Sequence, residues 1–167
     1  TRLVSRFAER HASVVAALGS GYRSADLGPM RGETSVQKTF SEEWGGLGDD
    51  ETTFIYSDAE LLALHRDVWL RFSNDEAGRV GSVLNVSCGF GKEAVVLSRI
   101  FQRADVFAVD LNLSLLQAAP GLNANPRIHP IIASLFRLPF APSSVDHVHS
   151  QGVIHHTYST EQAFRAI

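Results

Sequence analysis

The chain has 167 residues, and its 15 lysines and arginines against 18 aspartates and glutamates give a formal net charge of −3. With 44% hydrophobic and 20% charged residues, it is typical of one packed globular domain or part of one. The slight acidic excess argues against nucleic acid or anionic membranes as partners. The single cysteine, Cys88, excludes an intramolecular disulfide, and no apolar run is long enough to span a membrane. These features favour the reducing cytoplasm.

The beginning of the chain carries helix patterns and no strand pattern. Apolar residues at three- and four-residue steps over residues 3–18 predict a first helix. A stripe of Val36, Phe40 and Trp44 predicts a second helix, which ends at a glycine pair. This stripe could close over a bound substrate or could serve ordinary helix packing, and the sequence leaves both open.

A third helix is predicted to begin at Ser57, where Glu60 completes a capping box, and to end between residues 74 and 78. Its predicted buried face consists of Leu61, Leu62, His65, Val68, Trp69 and Phe72. We therefore predict that residues 1–79 form a helical N-terminal segment and residues 80–167 a separate Rossmann-like domain.

From residue 80 the pattern changes to alternating strands and helices. A β-branched run over residues 80–86 and a second run over 106–110 flank a helix at 92–101, which predicts a βαβ unit. A short helix over 113–119, strands over 128–133 and 145–150, and a helix after Ser159 follow. The expected fold class is α/β, with a largely parallel sheet. The last helix pattern stops after about two turns, which suggests that the chain is a fragment.

The turn after the first of these strands is the candidate ligand site. Gly89 and Gly91 let the backbone approach a ligand, and Asp110 follows about 20 residues later, where it could accept hydrogen bonds from a ribose. Residues 89–94 match the GxGxxA dinucleotide fingerprint, so a nicotinamide-dependent oxidoreductase is one interpretation.

A second interpretation rests on a longer series of motifs. Residues 85–91, Asn-Val-Ser-Cys-Gly-Phe-Gly, resemble the first motif of class I S-adenosylmethionine-dependent methyltransferases. The Leu-Pro-Phe of residues 138–140, the Val-Asp of 145–146 and the His-His of 155–156 are similar, in the same order, to later motifs of the small-molecule methyltransferase group. This resemblance implies a seven-stranded Rossmann-like fold, S-adenosyl-L-methionine as cofactor and a small-molecule methyl acceptor.

The resemblance also implies roles for individual residues. The cofactor-binding positions that it implies are Asn85, Ser87, Cys88, Gly89, Phe90, Gly91, Asp110, Leu111, Ser134, Leu135 and Gln151. Methyl transfer is an in-line displacement that depends on positioning, so no catalytic triad is expected. If the acceptor has to lose a proton, His155 or His156 is the candidate general base.

Three positions depart from the family pattern. Asn85 and Ser134 replace acids, and Ser87 replaces the first glycine, which predicts a weaker cofactor site or a noncatalytic binding module. No metal is expected, because no cysteine or paired acid accompanies the strand and loop histidines. With four strands in place of seven, we expect the sheet to need a missing C-terminal segment or a second subunit to complete it.

Overall fold

The computed structural model describes residues 23–24, 32–45, 56–112, 122 and 124–167. The helices predicted over residues 3–18 and 113–119 lie outside these described residues. Among the residues that are described, no helix is both long enough and apolar enough to cross a membrane.

A five-stranded parallel sheet forms the centre of the described structure. Its strands are β1 (Arg23–Ser24), β2 (Ser82–Val86), β3 (Asp105–Asp110), β4 (Ile128–Ile132) and β5 (His147–His149), in the spatial order β1-β4-β3-β2-β5. The register pairs Asn85 of β2 with Ala108 of β3 on one side and with His149 of β5 on the other. This confirms the predicted Rossmann-like parallel sheet.

Helices and single turns surround the sheet. The α-helices are α1 (Thr34–Gly45), α2 (Asp58–Leu64), α3 (Asn74–Ala77), α4 (Lys92–Ile100) and α5 (Thr160–Ala166), and the 3₁₀ turns are Leu135–Arg137 and Ile154–His156. Ser57 caps α2 with the predicted capping box, and Ser159 caps α5 by accepting a hydrogen bond from the Gln162 N–H.

Two apolar cores cover the two faces of the sheet, because successive strand residues point to opposite faces. Val83, Val106 and Ala108 pack with the apolar residues of α4 on one face, around the fully buried Phe101. Leu84, Val86, Phe107, Val109 and Ile131 pack on the other face, against α5 and the 135–137 turn. Asn85 and His149 therefore share the face that carries α4.

Asp146 ties the start of β5 to the start of β2. Its Oδ2 accepts hydrogen bonds from the Gly81 N–H and the Ser82 hydroxyl, both at 2.9 Å. The Asp146 N–H in turn donates to the Ser82 Oγ at 3.0 Å. The acid of the Val-Asp motif is thus a structural link between two neighbouring strands.

The third predicted helix is shorter than expected. α2 continues into a π-helix over His65–Leu70, which ends at Arg71 with a left-handed φ of 52°, and α3 is a separate short helix. The i→i+5 hydrogen bonding of a π-helix turns later side chains to a different direction. Val68 and Trp69 are accordingly 57% and 39% exposed, and the prediction that they are buried is wrong.

The prediction that the N-terminal part contains no strand is also wrong. Arg23 and Ser24 pair in parallel with Ile131 and Ile132 of β4. A strand of two residues has too few positions to display an alternating pattern, and its partner lies about a hundred residues away in the chain.

Candidate functional site

A cleft opens at the carboxyl ends of β2, β3 and β4, where ligands bind in open parallel sheets. Residues from α1, the glycine turn, the ends of two strands and the loop after β5 line this cleft. They are Glu33, Val36, Gln37, Phe40, Ser87, Gly89, Asp110, Leu111, Asn112, Ala133, Leu135, Phe136, Gly152, Val153, His156, Thr157 and Tyr158. Six of the sequence-predicted site residues are among them: Ser87, Gly89, Asp110, Leu111, Leu135 and His156.

The turn between β2 and α4 has an unusual backbone. Ser87, Gly89 and Gly91 have φ angles of 54°, 51° and 76°, all in the left-handed region. Glycine adopts this region freely, whereas a serine there is strained. At Gly91 a Cβ atom would also come within 2.6 Å of the Leu122 side chain. The turn therefore keeps the shape of a three-glycine loop although its first glycine position holds Ser87.

Asp110 is buried at the end of β3 and joins that strand to the glycine turn. Its Oδ2 accepts a hydrogen bond from the Gly89 N–H at 2.9 Å, and its Oδ1 accepts one from the Asn112 N–H at 2.8 Å. Burial raises the pKa of Asp110, and the hydrogen bonds from Asn112, Gly89 and Leu111 oppose that shift. A carboxylate has about four acceptor positions, so three backbone donors leave it capacity toward the cleft.

Helix α1 forms one wall of the cleft. The Gln37 side-chain amide donates to the Leu111 carbonyl at 3.1 Å, and the Asn112 side-chain amide donates to the Ser41 hydroxyl at 2.7 Å. Val36 and Phe40 from the predicted stripe line the cleft. Val36 and Phe40 thus face the ligand space, and two side-chain hydrogen bonds hold α1 beside the end of β3.

Both histidines of the pair after β5 are exposed, and one of them lines the cleft. His156 lines the cleft, and its ring lies edge-on to Phe40 with 5.5 Å between centroids. His155 does not line the cleft, and its ring packs against the His156 ring with 3.9 Å between centroids. Of the two candidate bases, only His156 has direct access to the ligand space.

Several predicted positions lie beside the cleft and do not line it. They are Asn85, Cys88, Phe90, Gly91, Ser134, Gln151 and His155. Ser134 is fully buried and caps the 135–137 turn by accepting from the Phe136 N–H at 3.0 Å. Burial raises the pKa of the Cys88 thiol well above its ordinary value, as expected for an unreactive cysteine that packs in a tight turn.

Asn85 faces α4, where it meets a buried acid. Its side-chain amide donates to Glu93 Oε2 at 3.4 Å, and Glu93 is only 8% exposed. The acid that the family pattern places at Asn85 would bring a second carboxylate next to Glu93 and would be repelled by it. The neutral amide is therefore compatible with its neighbour, and Glu93 accounts for this departure from the pattern.

Two histidines complete this buried group, and sequence reasoning did not connect them with Glu93. His65 Nε2 lies 3.8 Å from Glu93 Oε1, and His149 Nε2 lies 3.5 Å from Glu93 Oε2. Burial lowers the pKa of His65, and the Glu93 charge and a hydrogen bond to Leu61 oppose that shift. The available signals in the sequence are a charged residue, Glu93, among the apolar residues of α4 and a histidine, His65, on the apolar face of the predicted third helix.

Comparison with known proteins places this site in a family. A family model described as a methyltransferase domain matches residues 84–167, which is half of the chain. The chain belongs to the methyltransferase domain family. This agrees with the methyltransferase family that the motif series predicted, and it decides against the nicotinamide interpretation.

Solved methyltransferase structures share the fold. One, provisionally described as a methyltransferase from an antibiotic biosynthesis pathway of Anabaena variabilis, is 22% identical with a TM-score of 0.52, over 65% of this chain and 40% of that one. Another, provisionally described as an O-methyltransferase of Nostoc punctiforme, is 17% identical with a TM-score of 0.53, over 99% of this chain and 45% of that one. The chain therefore spans less than half the length of either structure. No curated protein sequence gives a significant match.

The residues at the cleft fit the S-adenosylmethionine of this methyltransferase family. Asp110 has acceptor capacity for a ribose hydroxyl, and Gly89 beside it leaves room for close approach. The Gln151 side-chain oxygen is buried without a hydrogen-bond partner in the described part of the chain. Because Gln151 does not line the cleft, the fit rests on Asp110 and Gly89 and not on this oxygen.

Proposed function

We propose that this chain supplies the cofactor-binding part of an enzyme that transfers a methyl group from S-adenosylmethionine to a small-molecule acceptor. The observation that carries the proposal is Asp110. It lines the cleft at the end of β3, and the backbone N–H groups of Gly89 and Asn112 hold its carboxylate in place. Such an acceptor, fixed beside a glycine turn, suits the ribose of an adenosine cofactor.

When bound, the cofactor supplies an electrophilic methyl group on a sulfonium centre. The chain's own residues then have to position the acceptor and exclude water, because positioning supplies much of the rate of an in-line displacement. Val36, Phe40 and Leu135 give the cleft apolar walls, and α1 forms one of these walls. An acceptor of small size with an apolar portion fits these walls.

His156 is the proposed general base where the acceptor is a hydroxyl or a protonated amine. Its imidazole lines the cleft and contacts the Phe40 ring, which lines the same cleft. Both rings would therefore lie next to a methyl acceptor bound there. A neutral imidazole accepts a proton near neutral pH, which is the task of such a base. His155 packs on the His156 ring and is proposed to orient it.

The proposal is tested by calorimetric titration of the chain with S-adenosylmethionine and S-adenosylhomocysteine, in the wild type and in Asp110→Asn. Loss of a charge-assisted hydrogen bond to a ribose is worth about 1.5–3 kcal/mol, so the variant should bind about 10- to 150-fold more weakly. Asp105→Asn is the matched control, because Asp105 lies on the same strand at its other end and does not line the cleft.

Different results separate the alternatives. Binding that depends on Asp110, together with methyl transfer to a panel of small hydroxyl and amine compounds, supports the enzyme. Binding without transfer to any acceptor supports the noncatalytic binding module suggested by Ser87 and Ser134. No binding of either cofactor form at millimolar concentration would refute both.

A further inference from the structure

Three buried polar side chains meet behind the glycine turn, outside the cleft. His65 begins the π-helix, Glu93 lies in the first turn of α4, and His149 ends β5. They are 0%, 8% and 7% exposed, and their nearest ligand-type atoms all lie within 4.8 Å of one another. We call these three residues the His-Glu-His cluster. None of them lines the cleft, so the proposed methyl transfer does not use them.

The hydrogen bonding of His65 leaves a lone pair pointed at the acid. Its Nδ1 lies 2.8 Å from the Leu61 carbonyl, which can only accept, so the Nδ1 atom carries the hydrogen. In a neutral ring Nε2 is then an unprotonated acceptor, and it lies 3.8 Å from Glu93 Oε1. Two acceptors that face each other in a buried space need a cation between them.

His149 brings a second imidazole nitrogen next to the other carboxylate oxygen. Its Nε2 lies 3.5 Å from Glu93 Oε2. Neither this atom nor His65 Nε2 has a hydrogen-bond partner within the described ranges, although both are buried. A buried imidazole nitrogen without a partner is costly, unless a bound ligand completes it.

We propose that the His-Glu-His cluster is a binding site for a divalent transition-metal ion, with Zn²⁺ as the best match. Two imidazole nitrogens and one carboxylate form a common ligand set for zinc. The bond from His65 Nδ1 to a backbone carbonyl is the outer-shell contact that usually fixes a metal-binding histidine. This proposal departs from the metal-free expectation drawn from the sequence, which did not include Glu93 in any site.

The distances agree with one shared ion. Zinc-ligand bonds of about 2.0–2.1 Å in a tetrahedron put neighbouring ligand atoms about 3.3–3.4 Å apart. The two nitrogen-to-oxygen distances, 3.8 Å and 3.5 Å, exceed this separation by only a few tenths of an ångström. They are too long for strong hydrogen bonds and close to the spacing of ligands around one metal.

Asn85 is positioned to provide a fourth ligand. It is fully buried, it pairs with His149 in the parallel register, and its Oδ1 has no hydrogen-bond partner in the described residues. The amide nitrogen lies 3.4 Å from Glu93 Oε2, and turning the amide over would bring Oδ1 to that position. The amide oxygen would then face the ion together with the carboxylate.

A metal in this position would join three separate parts of the fold. One ligand comes from the π-helix between β1 and β2, one from the helix after the glycine turn and one from the edge strand β5. All three are buried, as in structural zinc sites that contribute to folding. Glu93 lies two residues after Gly91, so the ion would also hold the turn that borders the cofactor cleft.

The test is the metal content of the chain and its response to added metal. Tag-free chain is purified without chelator and analysed by inductively coupled plasma mass spectrometry, then stripped of metal and melted with and without Zn²⁺. The expected result is one equivalent of zinc and a rise in Tm of roughly 5–10 °C at a zinc concentration of about 100 times Kd. Visible absorption of a Co²⁺-loaded sample reports a four-coordinate site.

Matched variants make the result specific to the cluster. Glu93→Gln and His149→Asn should both lose the zinc and its effect on Tm, with circular dichroism showing that they fold. His129→Asn is the control, because His129 pairs with a single acid, Asp105, at 2.8 Å, and has no second histidine in that pair. This control should keep the zinc.

Two outcomes overturn the proposal. In the first, the stripped wild-type chain takes up no zinc and its Tm does not respond, which would mean that a shared proton satisfies the cluster. In the second, Glu93→Gln retains zinc at the wild-type stoichiometry, which would place the ion elsewhere. Because the readouts are metal content and melting, neither outcome depends on whether the chain transfers methyl groups.

Discussion

Replacing Ser87 with glycine should stabilise the fold, because this residue has a backbone conformation that favours glycine. Its φ is 54°, in the left-handed region. A residue with a Cβ pays roughly 1–2 kcal/mol for that conformation, and glycine does not. Glycine in turn loses about 0.4–1 kcal/mol through the greater freedom of the unfolded chain. The difference predicts a gain of about 0.5–1 kcal/mol in the free energy of unfolding, or a rise in Tm of roughly 1–4 °C.

Urea denaturation and differential scanning calorimetry measure this gain, with the wild type and the variant prepared at the same metal content. Two controls identify its origin. Ser87→Ala keeps the Cβ and removes the hydroxyl, so its stability should equal that of the wild type. Arg71→Gly relieves a similar φ of 52° at the end of the π-helix, outside the cleft, and should give a similar gain.

The reasoning is refuted if Ser87→Gly is less stable than the wild type, or if Ser87→Ala gives the same gain. The first result would mean that the serine makes a favourable contact that outweighs its strain. The second would assign the cost to the hydroxyl and not to the backbone. Either would remove the explanation of Ser87 as a strained substitute for a glycine.

Four further perturbations test other parts of the structure. Burial raises the pKa of Asp110, so the ionised acceptor is lost as pH falls through that pKa and calorimetry should show weaker cofactor binding in acid. The same raised pKa means that the unliganded chain loses stability as pH rises through it, and Asp110→Asn should flatten both trends. Phe101→Ala empties a fully buried position and should cost about 3–5 kcal/mol in urea denaturation, and a cost below 1 kcal/mol would contradict the packing described. Asp146→Ala breaks the link between β2 and β5 and should cost about 1–3 kcal/mol by the same assay, unlike the exposed Glu161→Ala. Gln37→Ala frees α1 from the Leu111 carbonyl and should increase hydrogen exchange in α1 without changing exchange in β3.

The central βαβ unit could be predicted from the sequence because its signals are local. The β-branched run before Ser87, the two glycines and Asp110 at the end of the next strand each define one step of the chain, and the structure has β2, α4 and β3 within two residues of the predicted bounds. The same local signals predicted the carboxyl-end site, and six of its expected residues line the cleft.

What could not be predicted depends on contacts between distant segments. The His-Glu-His cluster joins residues from the π-helix between β1 and β2, the helix after the glycine turn and the edge strand, and no periodicity connects such positions. The π-helix that begins at His65 continues a pattern that also fits an ordinary α-helix, so only tertiary packing distinguishes the two. The departure at Asn85 acquires a reason only when its neighbour Glu93 is known.

The attachment of α1 has a consequence for the kinetics of ligand exchange. Two hydrogen bonds fix this cleft wall to the end of β3, from Gln37 to the Leu111 carbonyl and from Asn112 to the Ser41 hydroxyl. At a net value of about 1 kcal/mol each, they contribute about 2 kcal/mol, which by itself limits the detached wall to roughly 3% of molecules, and the ring contact of Phe40 with His156 lowers that fraction further. A ligand that enters only past a detached wall would associate about 30-fold more slowly than one that meets an open cleft, and its release would be slowed by the same barrier. The attached wall thus slows ligand exchange and lengthens the residence time of a bound ligand. Substitutions at its two hydrogen bonds should change both rates.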